Sequence, residues 1–121
     1  MQGREITVLG AGVAGLAAAL ALASKGASVT VLEQADAIRE VGAGLQISPN
    51  AAVVLRALGL GAGLDALNAR AMAVELRDGP TGEAVLKMDL ARLRPDQGYH
   101  FLHRADQIDL LAGAARAAGV Q

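Results

Sequence analysis

Residues 6–33, ITVLGAGVAGLAAALALASKGASVTVLE, allow very few folds. Ile6-Thr7-Val8-Leu9 is a short apolar, β-favouring run that stops at Gly10. Gly10, Gly12 and Gly15 then supply the spacing G-x-G-x-x-G. In a phosphate-binding turn each glycine has a mechanical task. Gly10 permits the bend out of the strand, Gly12 lets backbone approach a pyrophosphate with no Cβ in the way, and Gly15 lets the next helix lie close to the sheet. That helix is expected from about residue 13 to 24, rich in alanine, with Leu16 and Leu20 four apart on its core side. Its first amides and the positive end of its dipole face the pyrophosphate. Gly26 suits a C-terminal cap, and residues 28–32 read as a second strand ending at Glu33. A carboxylate there accepts hydrogen bonds from both hydroxyls of an adenosine ribose and repels a 2′-phosphate, which argues against NADP.

Three blander readings compete. Glycine-rich turns are common alone, but this one follows a strand, opens a helix and has its acid at the right distance. Residues 6–23 carry no charge and are nearly long enough to cross a bilayer. They are built on alanine and glycine, however, and split into a period-2 part and a helical part. A signal peptide is excluded by Glu5 and by the strand that completes the βαβ unit.

The 121 residues suffice for one modest domain. They are 53% hydrophobic but only 2% aromatic, so the core must be aliphatic and alanine-rich. A net charge of −1 without a basic stripe argues against nucleic acid and anionic membrane as partners. The absence of cysteine excludes a disulfide scaffold, a zinc–thiolate site and thiol catalysis. With no targeting segment, the expected location is cytoplasmic. Residues 117–121 read as a helix end, a glycine cap and the start of another strand, so the sequence expects a truncated piece of a larger α/β domain.

Between these ends, residues 34–40 are polar enough for a loop or a short surface helix. Gly42 and Gly44 followed by alternating Leu45, Gln46 and Ile47 predict backbone packed near something bulky, then a short strand. Ser48-Pro49 predicts a helix start, with Val53, Val54 and Leu58 inward, Arg56 outward and Gly59 as the stop. Residues 60–67 predict a second short helix anchored by Leu64 and Leu67. Residues 73–77 and 84–88, joined by turn chemistry at 78–82, predict an antiparallel hairpin with half-buried strands inserted into the α/β chain. Arg92, Arg94 and Asp96 are expected in a loop broken by Pro95. Residues 99–103 predict a strand, and 105–118 a helix presenting Ile108, Leu111 and Ala115 on one face. His100 and His103, three apart on a strand, fall on opposite faces and make no metal pair. Nothing resembles a hydrolase constellation.

Three blocks, GAGVAGLAAALALASKG…VTVLEQA, EVGAGLQISPNAAVVLRALGLG and YHFLHRADQIDLL, together resemble the N-terminal part of class A flavoprotein monooxygenases. The similarity is greatest to the salicylate-hydroxylase-like branch and covers almost the whole chain. It implies FAD where the residues alone do not decide between dinucleotides. The implied fold is a Rossmann-like βαβ FAD-binding domain with the inserted hairpin, residues 1–121 being its N-terminal part. By that resemblance Gly10, Gly12, Ala14 and Gly15 form the turn around the FAD pyrophosphate, and Glu33 binds the adenosine ribose with Gln34 beside it. Gly44 and Gln46 lie along the strand passing the ribityl–flavin part. Arg104, at the start of its helix, matches the arginine that contacts the cofactor, a task its fork of donors suits. Arg39 also approaches the cofactor in this reading.

The implied activity is hydroxylation of an aromatic or heteroaromatic acid, with NAD(P)H as transient electron donor and O₂ as co-substrate. No catalytic acid–base residue and no metal site are expected, and a homodimer is the expected assembly. The chain departs from the family at Gln107, where a leucine is usual. An Asp-Gly segment, a Gly-Asp segment and the substrate-binding sheet of the family do not occur within it. Two rivals stand beside this reading: the NAD-binding Rossmann half of a dehydrogenase, and a catalytically inactive cofactor-binding fragment. The dehydrogenase predicts strand–helix repeats straight after Glu33, where this chain has GAGLQISPN and a hairpin.

Overall fold

A computed structural model describes residues 1–38, 43–67 and 69–121. Strand β1 (Glu5–Leu9) leads through the glycine turn into helix α1 (Val13–Ala23), and β2 (Ser28–Leu32) returns beside β1. The two strands are parallel, in register from Glu5 opposite Ser28 to Leu9 opposite Leu32. A parallel pair needs a crossover, and α1 is that crossover. Gly26, at φ 83°, closes the helix–strand corner. Val29 and Val31 aim their backbone groups at the opposite edge of β2. There the Val31 N–H donates to the Gln121 carbonyl at 2.7 Å, and the Gln121 N–H to the Val29 carbonyl at 3.0 Å. Residues 120–121, where the start of a strand was expected, form no assigned strand, but Gln121 hydrogen-bonds along this edge of β2.

Next come β3 (Gly44–Ile47), α2 (Pro49–Ala57), α3 (Gly61–Leu67) and β4 (Ala69–Arg70). The hairpin β5 (Ala73–Arg77) and β6 (Ala84–Asp89) follows, then the single turn α4 (Leu90–Leu93), β7 (His100–His103) and α5 (Arg104–Ala117). β7 is the centre of a second sheet, pairing antiparallel with β3 on one side and with β4 on the other. Helices α1 and α5 pack together, and Leu16 and Leu20 share one core cluster with Ile108, Leu111, Ala112 and Ala115. The stripe read on α5 is therefore the one it buries.

Elsewhere the side-chain assignments change. On α2 the buried residues are Ala52 and Leu55, while Val53 and Val54 are 66% and 56% exposed. The helix is rotated so that its small residue meets the core and its β-branched pair does not. Ser48 holds the N-cap position before Pro49, but its hydroxyl donates to Asn50 Oδ1 at 2.5 Å and caps no amide. On α3, Leu64 is fully buried and Leu67 is exposed, with Leu60 rather than Leu67 completing the anchor. Arg56 bridges to Asp65 through two bonds of 2.9 and 2.5 Å, tying α2 to α3 at the surface. The expected loop at Arg92 is the helical turn α4, because the Asp89 carboxylate accepts from the Arg92 amide as an N-cap. The hairpin forms, but its strands are not half-buried. Val74 pairs with Met88 and Leu76 with Leu86 on one face, and all four remain exposed. Alternation in the sequence reports which residues share a face, not what lies opposite it.

His100 and His103 do fall on opposite faces, the first buried and the second exposed. Desolvation holds the His100 imidazole below its ordinary value of 6.5; Arg56 and Arg70 push the same way and Asp65 opposes them. The folded chain thus binds fewer protons than the unfolded chain below pH 6.5. Stability is complete above that pH and declines as the pH falls beneath it. The carboxylates of Glu33, Asp65 and Asp78, all depressed by hydrogen bonds, keep their contributions until the lower window below 4.5 and 3.8. Urea midpoints measured at about pH 7.5 and 5.5 should differ in the wild type and converge in His100→Gln. An equal midpoint difference between the two pH values in both proteins would remove His100 as the cause.

Candidate cofactor-binding site

The site is built where β1 gives way to α1. Gly10 adopts φ 94°, a left-handed value that a side chain resists, and its N–H donates to the Leu32 carbonyl at 2.7 Å. Gly12 is the N-cap of α1 in extended conformation, and a Cβ built there meets nothing within 4 Å. A Cβ on Gly15 would overlap the Gly10 carbonyl oxygen. Each glycine thus meets its expected mechanical need: a bend, an open approach and a close contact. The first turn of α1 carries no acidic side chain to neutralise the helix N-terminus, and Ala14 lies exposed on it.

Glu33 reaches this turn from the end of β2. Its Oε2 accepts from the Ala11 amide at 2.7 Å and its Oε1 from the Ala35 amide at 3.0 Å. Those bonds, the Ala11 one foremost, with a smaller contribution from the Gln34 amide, hold the carboxyl below its ordinary value against the opposing effect of desolvation. Glu33 is therefore ionised at neutral pH. On one side of it a hollow of about 140 Å³ is bounded by Gly12, Ala35, Ala37, Ile38 and Ile108. On another, a cleft of about 400 Å³ runs along Leu9, Gly10, Leu32 and Gln34.

The structure thus brings Gly10, Gly12, Ala14, Gly15, Glu33 and Gln34 together around one turn. It adds Ala35, Ala37, Ile38 and Ile108, which the sequence reading did not place there. Ile38 had a signal, as the one large aliphatic in a polar stretch, whereas Ile108 was read as core. Arg104 opens α5 one turn before Ile108, and its amide donates to the Ala43 carbonyl at 3.0 Å. Arg104 as a residue is exposed. Arg39 lies outside the described residues.

Gly44 and Gln46 occupy the outward face of the second sheet, opposite His103 and Phe101 in register. With Leu67 and Ala69 they line a cleft of about 420 Å³. The Tyr99 hydroxyl donates to Gln46 Oε1 at 2.6 Å, and the Tyr99 and Phe101 rings meet edge-to-face at 5.9 Å. The Gly44–Gln46 strand therefore offers a second concave surface, and β7 links it to Arg104.

Residues 5–44 match the family model described as FAD dependent oxidoreductase. The chain is 40% identical to 3-amino-4-hydroxybenzoate 2-monooxygenase of Streptomyces cremeus, over 97% of this chain and 30% of that protein. It is also 40% identical to 3-hydroxybenzoate 6-hydroxylase 1 of Aquipseudomonas alcaligenes, over 96% of this chain and 30% of that protein. Among solved structures, the tetrameric form of 2-methyl-3-hydroxypyridine-5-carboxylic acid oxygenase superposes with a TM-score of 0.87 at 29% identity. That match covers 98% of this chain and 30% of the other. The fold and turn are similar to those of FAD-dependent oxidoreductases. More narrowly, the chain is similar in sequence to class A aromatic-ring monooxygenases, the likeness that the GAGLQISPN and HRAD blocks led us to expect. It spans about 30% of the length of the curated relatives it matches.

Proposed function

We propose that the chain is the FAD-binding portion of a flavin-dependent monooxygenase that hydroxylates an aromatic or heteroaromatic acid, using NAD(P)H and O₂. The observation that carries this reading is the joint placement of the glycine turn and the ionised Glu33, with open space at Gly12 and ribose-sized room beside the carboxylate. The residues present fit FAD. Gly10, Gly12, Ala14 and Gly15 hold the pyrophosphate against the helix N-terminus, Glu33 takes the ribose with Gln34 beside it, and Arg104 contributes a cationic fork. Gly44 and Gln46 flank the flavin end. FAD, when bound, supplies the redox and oxygen chemistry; these residues bind it, orient it and exclude water. The dehydrogenase alternative is disfavoured by the second sheet and the hairpin, which stand where a Rossmann half would continue with further strand–helix repeats.

NAD(P)H as the donor, a small aromatic acid as the substrate, a homodimer as the assembly and the cytoplasm as the location complete the proposal. The relatives' names support the substrate class. Among the described residues no helix is long and apolar enough to cross a membrane. The test is titration of the purified chain with FAD, followed by flavin fluorescence, with ADP and NAD as competitors. The reading expects saturable FAD binding displaced by ADP. Binding of NAD in preference to FAD would favour the dehydrogenase alternative, and binding of no dinucleotide would sink both.

A further inference from the structure

The carboxylate of Glu33 is engaged before any ligand is considered. Its bond to the Ala35 amide is local, but its 2.7 Å bond to the Ala11 amide spans 22 residues and joins the end of β2 to the middle of the glycine turn. Ala11 is only 3% exposed, so its N–H needs a partner within the protein. Gly10 is tied to the same strand end by its bond to the Leu32 carbonyl. Two consecutive amides of the turn are thus fastened to Leu32, the last residue of β2, and to Glu33, which follows it, one through backbone and one through a side chain. A carboxylate offers about four acceptor positions. The bonds from Ala11 and Ala35 leave part of that capacity for the hydroxyls of a ribose.

We infer that Glu33 is a positioning residue in addition to a ribose contact: it latches the phosphate turn into its binding shape before a dinucleotide arrives. The inference rests on the dinucleotide reading of this site. It explains why a carboxylate of this length is needed. Glutamine has one acceptor oxygen, and its amide group would turn a donor toward one of the two backbone donors. Aspartate keeps the charge but is one methylene too short to span from β2 to Ala11.

Two measurements on the full chain test the latch. The first is amide hydrogen exchange without ligand in the wild type, Glu33→Gln and Glu33→Asp. Exchange at Ala11 should rise roughly ten- to hundredfold in Glu33→Asp, the loss of one charge-assisted bond, and less in Glu33→Gln, whose single acceptor oxygen can still serve Ala11, while Leu111 in the core stays protected and reports an intact fold. The second is the affinity for ADP and for 2′,3′-dideoxy-ADP, which has no diol for Glu33 to contact. Glu33→Asp should weaken dideoxy-ADP about tenfold, because the turn is no longer held for the phosphates. Unchanged Ala11 exchange, or a dideoxy-ADP affinity equal to that of the wild type, overturns the latch and leaves Glu33 a ribose contact only. If the wild type binds neither nucleotide while Ala11 exchange still depends on Glu33, the latch stands and the dinucleotide reading fails.

Discussion

Gly15→Ala should cost the protein both its fold stability and its flavin affinity, whereas Gly12→Ala should cost the affinity alone. The two glycines sit three residues apart in one turn, yet their surroundings differ. A methyl group on Gly15 would overlap the Gly10 carbonyl oxygen, which is backbone at the tightest point of the β1–α1 corner and cannot swing aside as a side chain would. α1 must then lift from the sheet, carrying Leu16 and Leu20 out of their contacts with α5. Overpacking of this kind costs about 1–3 kcal/mol, a melting-temperature loss on the order of 5–15 °C for a domain this small. At Gly12 a Cβ meets nothing within 4 Å and φ is −73°, so alanine is accommodated without strain. On the proposed reading its methyl group occupies the space through which the pyrophosphate approaches. Thermal melts with FAD titrations should show Gly12→Ala melting like the wild type but binding FAD at least about tenfold more weakly. Wild-type affinity in Gly12→Ala would mean that the phosphates lie elsewhere.

That contrast also shows where the sequence was informative. The turn, α1 and β2 were legible because their determinants are local: three glycines, a run of alanines and an acid at a fixed distance all act within residues 6–33. The stripe Ile108, Leu111 and Ala115 was legible because α5 is long enough for its period to be unambiguous. On α2, nine residues long, two faces satisfied the pattern equally, and the bulkier valines drew the assignment toward the wrong one. β4 is two residues with no signal of its own; it exists because β7 offers it an edge. The bond from Glu33 to Ala11 was equally invisible. The sequence placed a carboxylate at the end of β2, but which amide it meets depends on the depth of the turn. Ala35, Ala37 and Ile38 entered the site for the same reason: they follow Glu33 into a loop whose path no periodicity encodes.

The rotation of α2 and the depth of α5 make a second, larger prediction. Leu111 is completely buried, facing α1 from the middle of α5 within the core cluster. Truncating it to alanine removes its contacts and leaves a void between two helices that are joined to the sheet and can only partly close over it. Such substitutions cost about 2–5 kcal/mol, a large share of the roughly 5–15 kcal/mol that holds a domain folded. Val53→Ala should behave in the opposite way, because its side chain is 66% exposed and alanine is the better helix former. A change within about 0.5 kcal/mol, neutral to slightly stabilising, is expected there. Urea unfolding of both variants, with unchanged slopes to confirm that the same surface is exposed, gives the comparison directly. Had Val53 faced the core, as its hydrophobicity suggests, its truncation would resemble an interior deletion; a loss approaching that of Leu111→Ala would show that this face of α2 is covered in solution.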